Sequence, residues 1–278
     1  MKTHIVQWTA ALALGASALS ASGGEKPLWE AGLGVSAISF PDYRGSSRQR
    51  TVGLPLPYFV YRGKFLRADR GGLRGKIFDG NRVKLDISLS ASLPVESDSK
   101  GPRRGMPDLQ PTVEFGPLLA IGLWRGETRN ARLDLRLPVR AAYAFRGGAE
   151  YAGIIFAPAL GFNANPFGHS GWNLGLLGGP VFANARQHKY FYDVAPRYAL
   201  PGRPAYSASG GYSGAQLLVS LSKRFENFWL GGFVRYDALR GAAFDDSPLL
   251  ERKHVWAGGL GLAWILGESS RAAVSGGD

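Results

Sequence analysis

The sequence predicts an all-β fold: a transmembrane antiparallel β-barrel of about twelve strands, with short periplasmic turns and longer extracellular loops. Three observations predict it. Apolar and polar residues alternate with period two through most of the chain, a spacing that a strand sorts onto two faces and a helix of 3.6 residues per turn cannot. Beyond the first twenty or so residues, no run approaches the ~20 apolar residues of a membrane helix, so a bilayer could be crossed only by a closed barrel. Short and long connections also alternate along the chain, as they do between the two ends of outer-membrane barrels.

Residues 1–21 read as a cleaved secretory signal peptide. Lys2 supplies the positive start, Ile5 to Leu19 is dominated by Ala and Leu, and the small residues of Ala16-Ser17-Ala18 suit a cleavage site. Residues 22–278 then form one barrel domain that ends in a short polar tail, 267–278. Strands are expected at 29–40, 52–62, 64–70, 72–79, 82–93, 111–124, 132–145, 150–164, 171–185, 216–225, 228–238 and 254–266. Ten is the lower count, because 64–79 can be drawn as one bulged strand around Arg70-Gly71-Gly72.

The clearest strand is 82–93. Val83, Leu85, Ile87, Leu89, Ala91 and Leu93 alternate there with Arg82, Lys84, Asp86, Ser88, Ser90 and Ser92. In 132–145 the row Leu133, Leu135, Leu137, Val139, Tyr143, Phe145 ends in two aromatics, as expected where a strand leaves hydrocarbon for the headgroups. In 254–266 the row Trp256, Leu260, Leu262, Trp264 faces away from Val255, Ala257, Gly259, Gly261 and Ala263. No segment reads as an amphipathic helix. The long connections, 41–50, 94–110, 186–211 and 240–252, are placed outside the cell.

The chain has 278 residues, 33 Lys+Arg against 21 Asp+Glu, a net charge of +12 and no cysteine. Missing cysteine excludes a disulfide scaffold, a thiolate metal site and a thiol nucleophile. Export, with no nucleic-acid module, excludes nucleic acid as the partner of the charge. Period two instead divides it. Arg82, Lys84, Asp86, Arg132, Asp134, Arg136, Arg140, Arg235 and Asp237 fall on lumen rows, as a charge ladder that either plugs the lumen or forms a ring favouring anions. Arg48, Arg50, Lys100, Arg103 and Arg104 fall in outer loops, where guanidinium forks would face lipopolysaccharide phosphates.

Catalytic patterns are thin. Of four histidines, His4 leaves with the signal peptide, His169 sits in a short turn, and His188 and His254 lie in or beside outer loops. His254 with Ser247 is the nearest Ser–His candidate, and Asp245-Asp246 is an acidic pair in a turn. No His/Asp/Glu grouping has ligand spacing, so the expectation is a non-enzyme with no catalytic residues, no metal and no cofactor.

The loops carry a further signature. Pro41-Asp42-Tyr43-Arg44-Gly45-Ser46, Leu54-Pro55-Leu56-Pro57-Tyr58, Tyr190-Phe191-Tyr192-Asp193-Val194, Arg203-Pro204-Ala205-Tyr206 and Asp246-Ser247-Pro248-Leu249-Leu250 together resemble the MipA/OmpV family of outer-membrane proteins. The resemblance runs through the whole mature chain. It implies a barrel in the cell outer membrane, in contact with lipid and lipopolysaccharide. It also implies a scaffold that brings the lytic transglycosylase MltA together with a murein synthase. Other roles ascribed to the family, a narrow porin-like channel (here for small anionic solutes) and a surface adhesin acting through extracellular loops, are the alternatives.

Overall fold

Period two resolves into a closed sheet. The computed structural model describes residues 27–62, 66–69, 72–79, 82–97, 101–128, 130–145, 147–167 and 170–270, so the signal segment, Lys100, His169 and residues 271–278 lie outside the described residues. Thirteen strand segments occur in chain order. These are β1 Trp29–Pro41, β2 Gln49–Arg62, β3 Leu66–Asp69, β4 Gly72–Asp79, β5 Val83–Ser92, β6 Thr112–Arg125, β7 Ala131–Phe145, β8 Ala149–Phe156, β9 Ala159–Ala164, β10 Asn173–Ala183, β11 Gly211–Arg224, β12 Phe228–Ala238 and β13 His254–Glu268.

Each strand pairs antiparallel with its neighbours. The last strand β13 pairs with β1, and β10 pairs with β11, which closes the described strands into a ring. β8 and β9 lie end to end between the same two strands, β7 and β10. The break falls at Ala157-Pro158, where proline supplies no ladder donor. Counted as one, they give the twelve crossings that the alternation predicts. The segment 64–79 is two strands, with Leu66 opposite Gly75, and not one bulged strand.

The two faces sort as expected. Leu33, Leu260 and Leu266 are 57%, 71% and 76% exposed on the outside, whereas Val255, Ala257 and Ala263 are buried on the inside. Such an outer band would be costly in water and is suited to hydrocarbon. The turn pattern holds in part: the connections after β2, β4, β6 and β11 are short and those after β5, β10 and β12 are long. Those after β1 and β9 are of similar length, and those after β3 and β7 are short on the long-loop side. The start of β1 and the end of β13 therefore lie at the short-turn end.

Several boundaries differ from the sequence reading, among them β11, which starts at Gly211 and not at residue 216. β13 continues to Glu268, and the Ser269 N–H bonds to the Trp29 carbonyl, so the polar tail starts beyond the expected residue 267. The connection read as an irregular loop contains a helix, α1 Ala185–Tyr192, followed by a 3₁₀ turn at Pro196–Tyr198. At 8 residues α1 is too short to show a helical stripe in the sequence. Asn184 caps it, accepting from the Gln187 N–H.

Candidate functional site

The long loops do not stand up into solvent. Residues 42–48, 93–97, 101–111, 184–210 and 239–253 fold over the outer mouth and share cores of their own. Tyr43, Val95, Leu109, Tyr192, Ala208, Ala242 and Phe244 form one cluster, and Met106, Val194 and Leu249 a second. The Tyr192 ring stacks on Phe244 with centroids 3.7 Å apart and meets Tyr43 edge-on at 6.2 Å.

Polar groups finish the cap. The Tyr43 hydroxyl donates to the Leu249 carbonyl at 2.7 Å, Tyr192 to the Arg44 carbonyl at 2.7 Å, and Ser247 to the Tyr192 carbonyl at 2.8 Å. Burial pushes the phenols of Tyr43 and Tyr192 well above their ordinary pKa, so both remain donors. Gly45, with φ of +96°, lies so close to Leu250 that a Cβ there would overlap its Cδ1. Three separate motif runs thus meet at one place.

Two arginines act as clamps. Arg203 is 6% exposed and donates to the carbonyls of Pro102, Arg104 and Tyr198 at 2.6–2.8 Å. Arg103 is 7% exposed and donates to the carbonyls of Phe191 and Pro107. Burial pulls the pKa of both guanidinium groups below the usual value. Arg103 was expected to face lipopolysaccharide; it is turned inward because five hydrogen-bond donors can satisfy carbonyls that two converging loops would otherwise leave bare. Arg48 and Arg50 are likewise engaged, both with Asp42, at 3.6 and 2.7 Å. Arg104 remains exposed.

Beneath the cap the lumen is cross-linked. Arg44 reaches down from the first loop to Asp237 at 3.0 Å, and Arg235 grips the other oxygen of the same carboxylate at 3.0 Å. Arg140 of β7 bonds Glu114 of β6 at 3.0 Å and lies 3.4 Å from the Ser88 hydroxyl of β5. Arg132 and Asp134 pair at 3.2 Å along β7. Lys84, Asp86 and Arg136 lie half-buried on the same inner rows, whereas Arg82 is exposed at the foot of β5. Among these ion pairs, those between two predicted row residues, Arg132–Asp134 and Arg235–Asp237, each lie within one strand, and those that cross elements use Arg44 and Glu114.

The ladder also extends to residues that the alternation did not single out. Glu30, 2% exposed, accepts from the Tyr58 hydroxyl at 2.8 Å and lies 3.5 Å from Arg224. Tyr58, Val60, Trp229 and Ala263 pack there, with Leu56 and Ile265 against them. The Trp229 ring lies against Gly231, whose missing Cβ leaves the room. Inward Trp229 shares the odd-numbered row of β12 with Arg235 and Asp237. The barrel is thus filled at its periplasmic end and covered at its outer end.

The residues that build this cap and lumen, Glu30 excepted, fall within one family's span. A family model described as MltA-interacting protein MipA matches residues 33–266. The chain belongs to the MipA family. Among solved structures, the COG4313 outer membrane channel from Pseudomonas putida F1 aligns at 12% identity and a TM-score of 0.44, covering 89% of this chain and 100% of that one. The outer membrane phospholipase A from Escherichia coli aligns at 10% identity and a TM-score of 0.33, covering 87% and 92%. No curated protein matches. Family and architecture together place this MipA-family chain in the outer membrane as a β-barrel.

The remaining motif residues of this MipA-family barrel sort simply. Pro41 ends β1 buried, and the Ser46 hydroxyl accepts the Arg48 N–H. The Tyr206 hydroxyl points to the Ala243 carbonyl at 3.4 Å, Pro204 and Asp246 are exposed, and Pro248 is half-buried. Ser247 and His254 are not brought together: Ser247 bonds Tyr192, and His254 faces the Tyr236 hydroxyl. The acidic pair is also divided, since Asp245 pairs with Lys253 at 2.8 Å. Sequence reading missed the pair that does form, His188 with Ser213, because 25 residues and a change of element separate them. A cavity of about 250 Å³ opens beside α1, lined by Arg103, Asp108, Glu150, Lys189, Tyr190 and Tyr198 among others.

Proposed function

We propose that this barrel is a closed, non-enzymatic scaffold of the outer membrane that docks cell-wall machinery at its periplasmic end. One observation carries the closed reading: the outer loops have a hydrophobic core of their own, stacked on Tyr192 and Phe244, in place of an open vestibule. The ion pairs of Arg44, Arg235 and Asp237 and the packing of Trp229 on Tyr58 support it further down. The family's name supplies the partner class, a lytic transglycosylase. A murein synthase would be the second partner of such a scaffold. Exposed Arg104 and Arg252 would be the groups to meet lipopolysaccharide phosphates at the outer rim.

Purified barrel in detergent is the bait for a pull-down with periplasmic murein hydrolases. Enrichment of a lytic transglycosylase over an unrelated barrel is the expected result, and equal recovery by the two baits removes the scaffold role. The second reading, a narrow channel for small anions, rests on the half-buried Arg132, Arg136 and Arg140 along one lumen row. Planar-bilayer recordings decide it: the closed barrel gives no discrete conductance steps at neutral pH, and steps with anion preference favour the channel.

A further inference from the structure

The cap contains a buried group of the kind that titrates near physiological pH. His188, on α1, is 2% exposed, and Ser213, on β11, is 3% exposed. The His188 Nδ1 faces the Ser209 carbonyl at 2.6 Å. A carbonyl only accepts, so Nδ1 carries the proton, and in the neutral ring Nε2 is left as an acceptor for the Ser213 hydroxyl at 2.5 Å. The ring also stands edge-on to Phe244 at 4.8 Å and to Tyr192 at 6.5 Å. One imidazole therefore ties together α1, β11, the 184–210 loop and the 239–253 loop.

We propose that His188 is an acid-sensitive latch: neutral, it holds the 184–210 segment down on the barrel mouth, and protonated, it releases that segment and uncovers the lumen. The proposal goes beyond the scaffold reading and does not depend on it. The Ser213 hydroxyl can turn to accept from a second N–H, so the hydrogen bond is not what resists the proton. The obstacle is a full positive charge in a buried site, which costs far more than an exposed one. The groups that face the ring are Arg44 from the 42–48 loop, with Asp237 of β12 behind it, Tyr192 on α1 itself, Ser213 on β11, and Phe244 and Ser209 from the two loops. Arg44 is the only cation in that set, and it repels a charged ring.

Burial, aided more weakly by Arg44, holds the His188 pKa below the ordinary imidazole value, against the Ser209 hydrogen bond, which raises it. An undocked ring would titrate normally, so the undocked state binds more protons between those two values. Stability of the latch is thus full above the ordinary value and declines as pH falls toward the depressed one. The undocked fraction rises by up to about tenfold per pH unit across that window.

Absence of cysteine makes the test clean. In an Ala208→Cys variant the new thiol replaces a side chain 1% exposed in the cap core, and it is alkylated only when the segment lifts. A Ser207→Cys variant, at an exposed position, corrects for thiol ionisation. As pH falls from 7.5 to 4.5 the rate at position 208, divided by the rate at position 207, should rise, by no more than about tenfold per pH unit. His188→Gln, which cannot charge, should abolish the rise, while His254→Gln keeps it. A flat ratio in the parent, or a rise that survives His188→Gln, overturns the proposal. Should His188→Gln leave position 208 reactive at every pH, Arg44→Gln decides: removing the repelling charge must shrink the rise, and an unmoved rise overturns the latch.

Discussion

Arg203 shows how a motif residue can be structural. Its guanidinium satisfies three backbone carbonyls drawn from two loops, and no carboxylate faces it among its hydrogen bonds. Arg203→Ala leaves those carbonyls buried and bare, and should cost the cap about 2–3 kcal/mol, read as faster proteolysis of the 184–210 segment with the strands intact. Arg203→Lys should recover only part of this, because a single ammonium cannot span the fork. Tyr43 is subtler. Its hydroxyl donates to the Leu249 carbonyl while its ring packs on Tyr192, so Tyr43→Phe keeps the packing and loses the bond. About 1 kcal/mol of cap stability should go with it, measured by the same protection assay.

At the scale of the element, α1 explains why the longest loop folds inward. Its Asn184 side chain accepts from the Gln187 N–H at 3.1 Å and from the Ile154 N–H of β8 at 3.1 Å, capping the helix and pinning it to the wall together. β8 admits it through Gly153, at φ of +133°, where a Cβ would sit 2.6 Å from the Gln187 nitrogen. Ala142, Ala144 and Ala152 keep the adjoining wall low. Asn184→Ala should cost about 1 kcal/mol, and Gly153→Ala more, since it combines strained backbone with a clash. Hydrogen exchange of the α1 amides would register both, with β11 amides unchanged in the first variant.

For the whole molecule, stability depends on which solvent meets the outer rows. Leu260 is 71% exposed on β13. On a water-soluble sheet Leu260→Arg would be nearly neutral, but at the middle of a bilayer it should cost about 2–4 kcal/mol. Refolding into lipid vesicles, followed by urea titration, should show that loss; an unchanged midpoint would mean the row never met hydrocarbon.

The strands were legible because a barrel repeats one local rule. A residue such as Leu89 or Trp256 needs only its neighbours at two removes to declare its face. Lumen arginines were legible for the same reason, although their partners were not: Arg140 meets Glu114 because β6 and β7 share a register that only the assembled sheet sets. The loops followed no repeat. Arg103 read as a surface cation from its surroundings in sequence, and its burial depends on Phe191, 88 residues away. His188 and Ser213 were invisible to spacing for the same reason.

By itself the sequence determined the architecture and the membrane it crosses, since strand alternation and the family's ordered motifs are local signals. Tertiary structure alone decided that the mouth is capped, that the charge splits into clamps and ladder, and that a buried histidine joins the cap to the barrel wall. Those properties arise where four loops converge, and convergence depends on closure of the ring from β1 to β13, which no window of sequence contains.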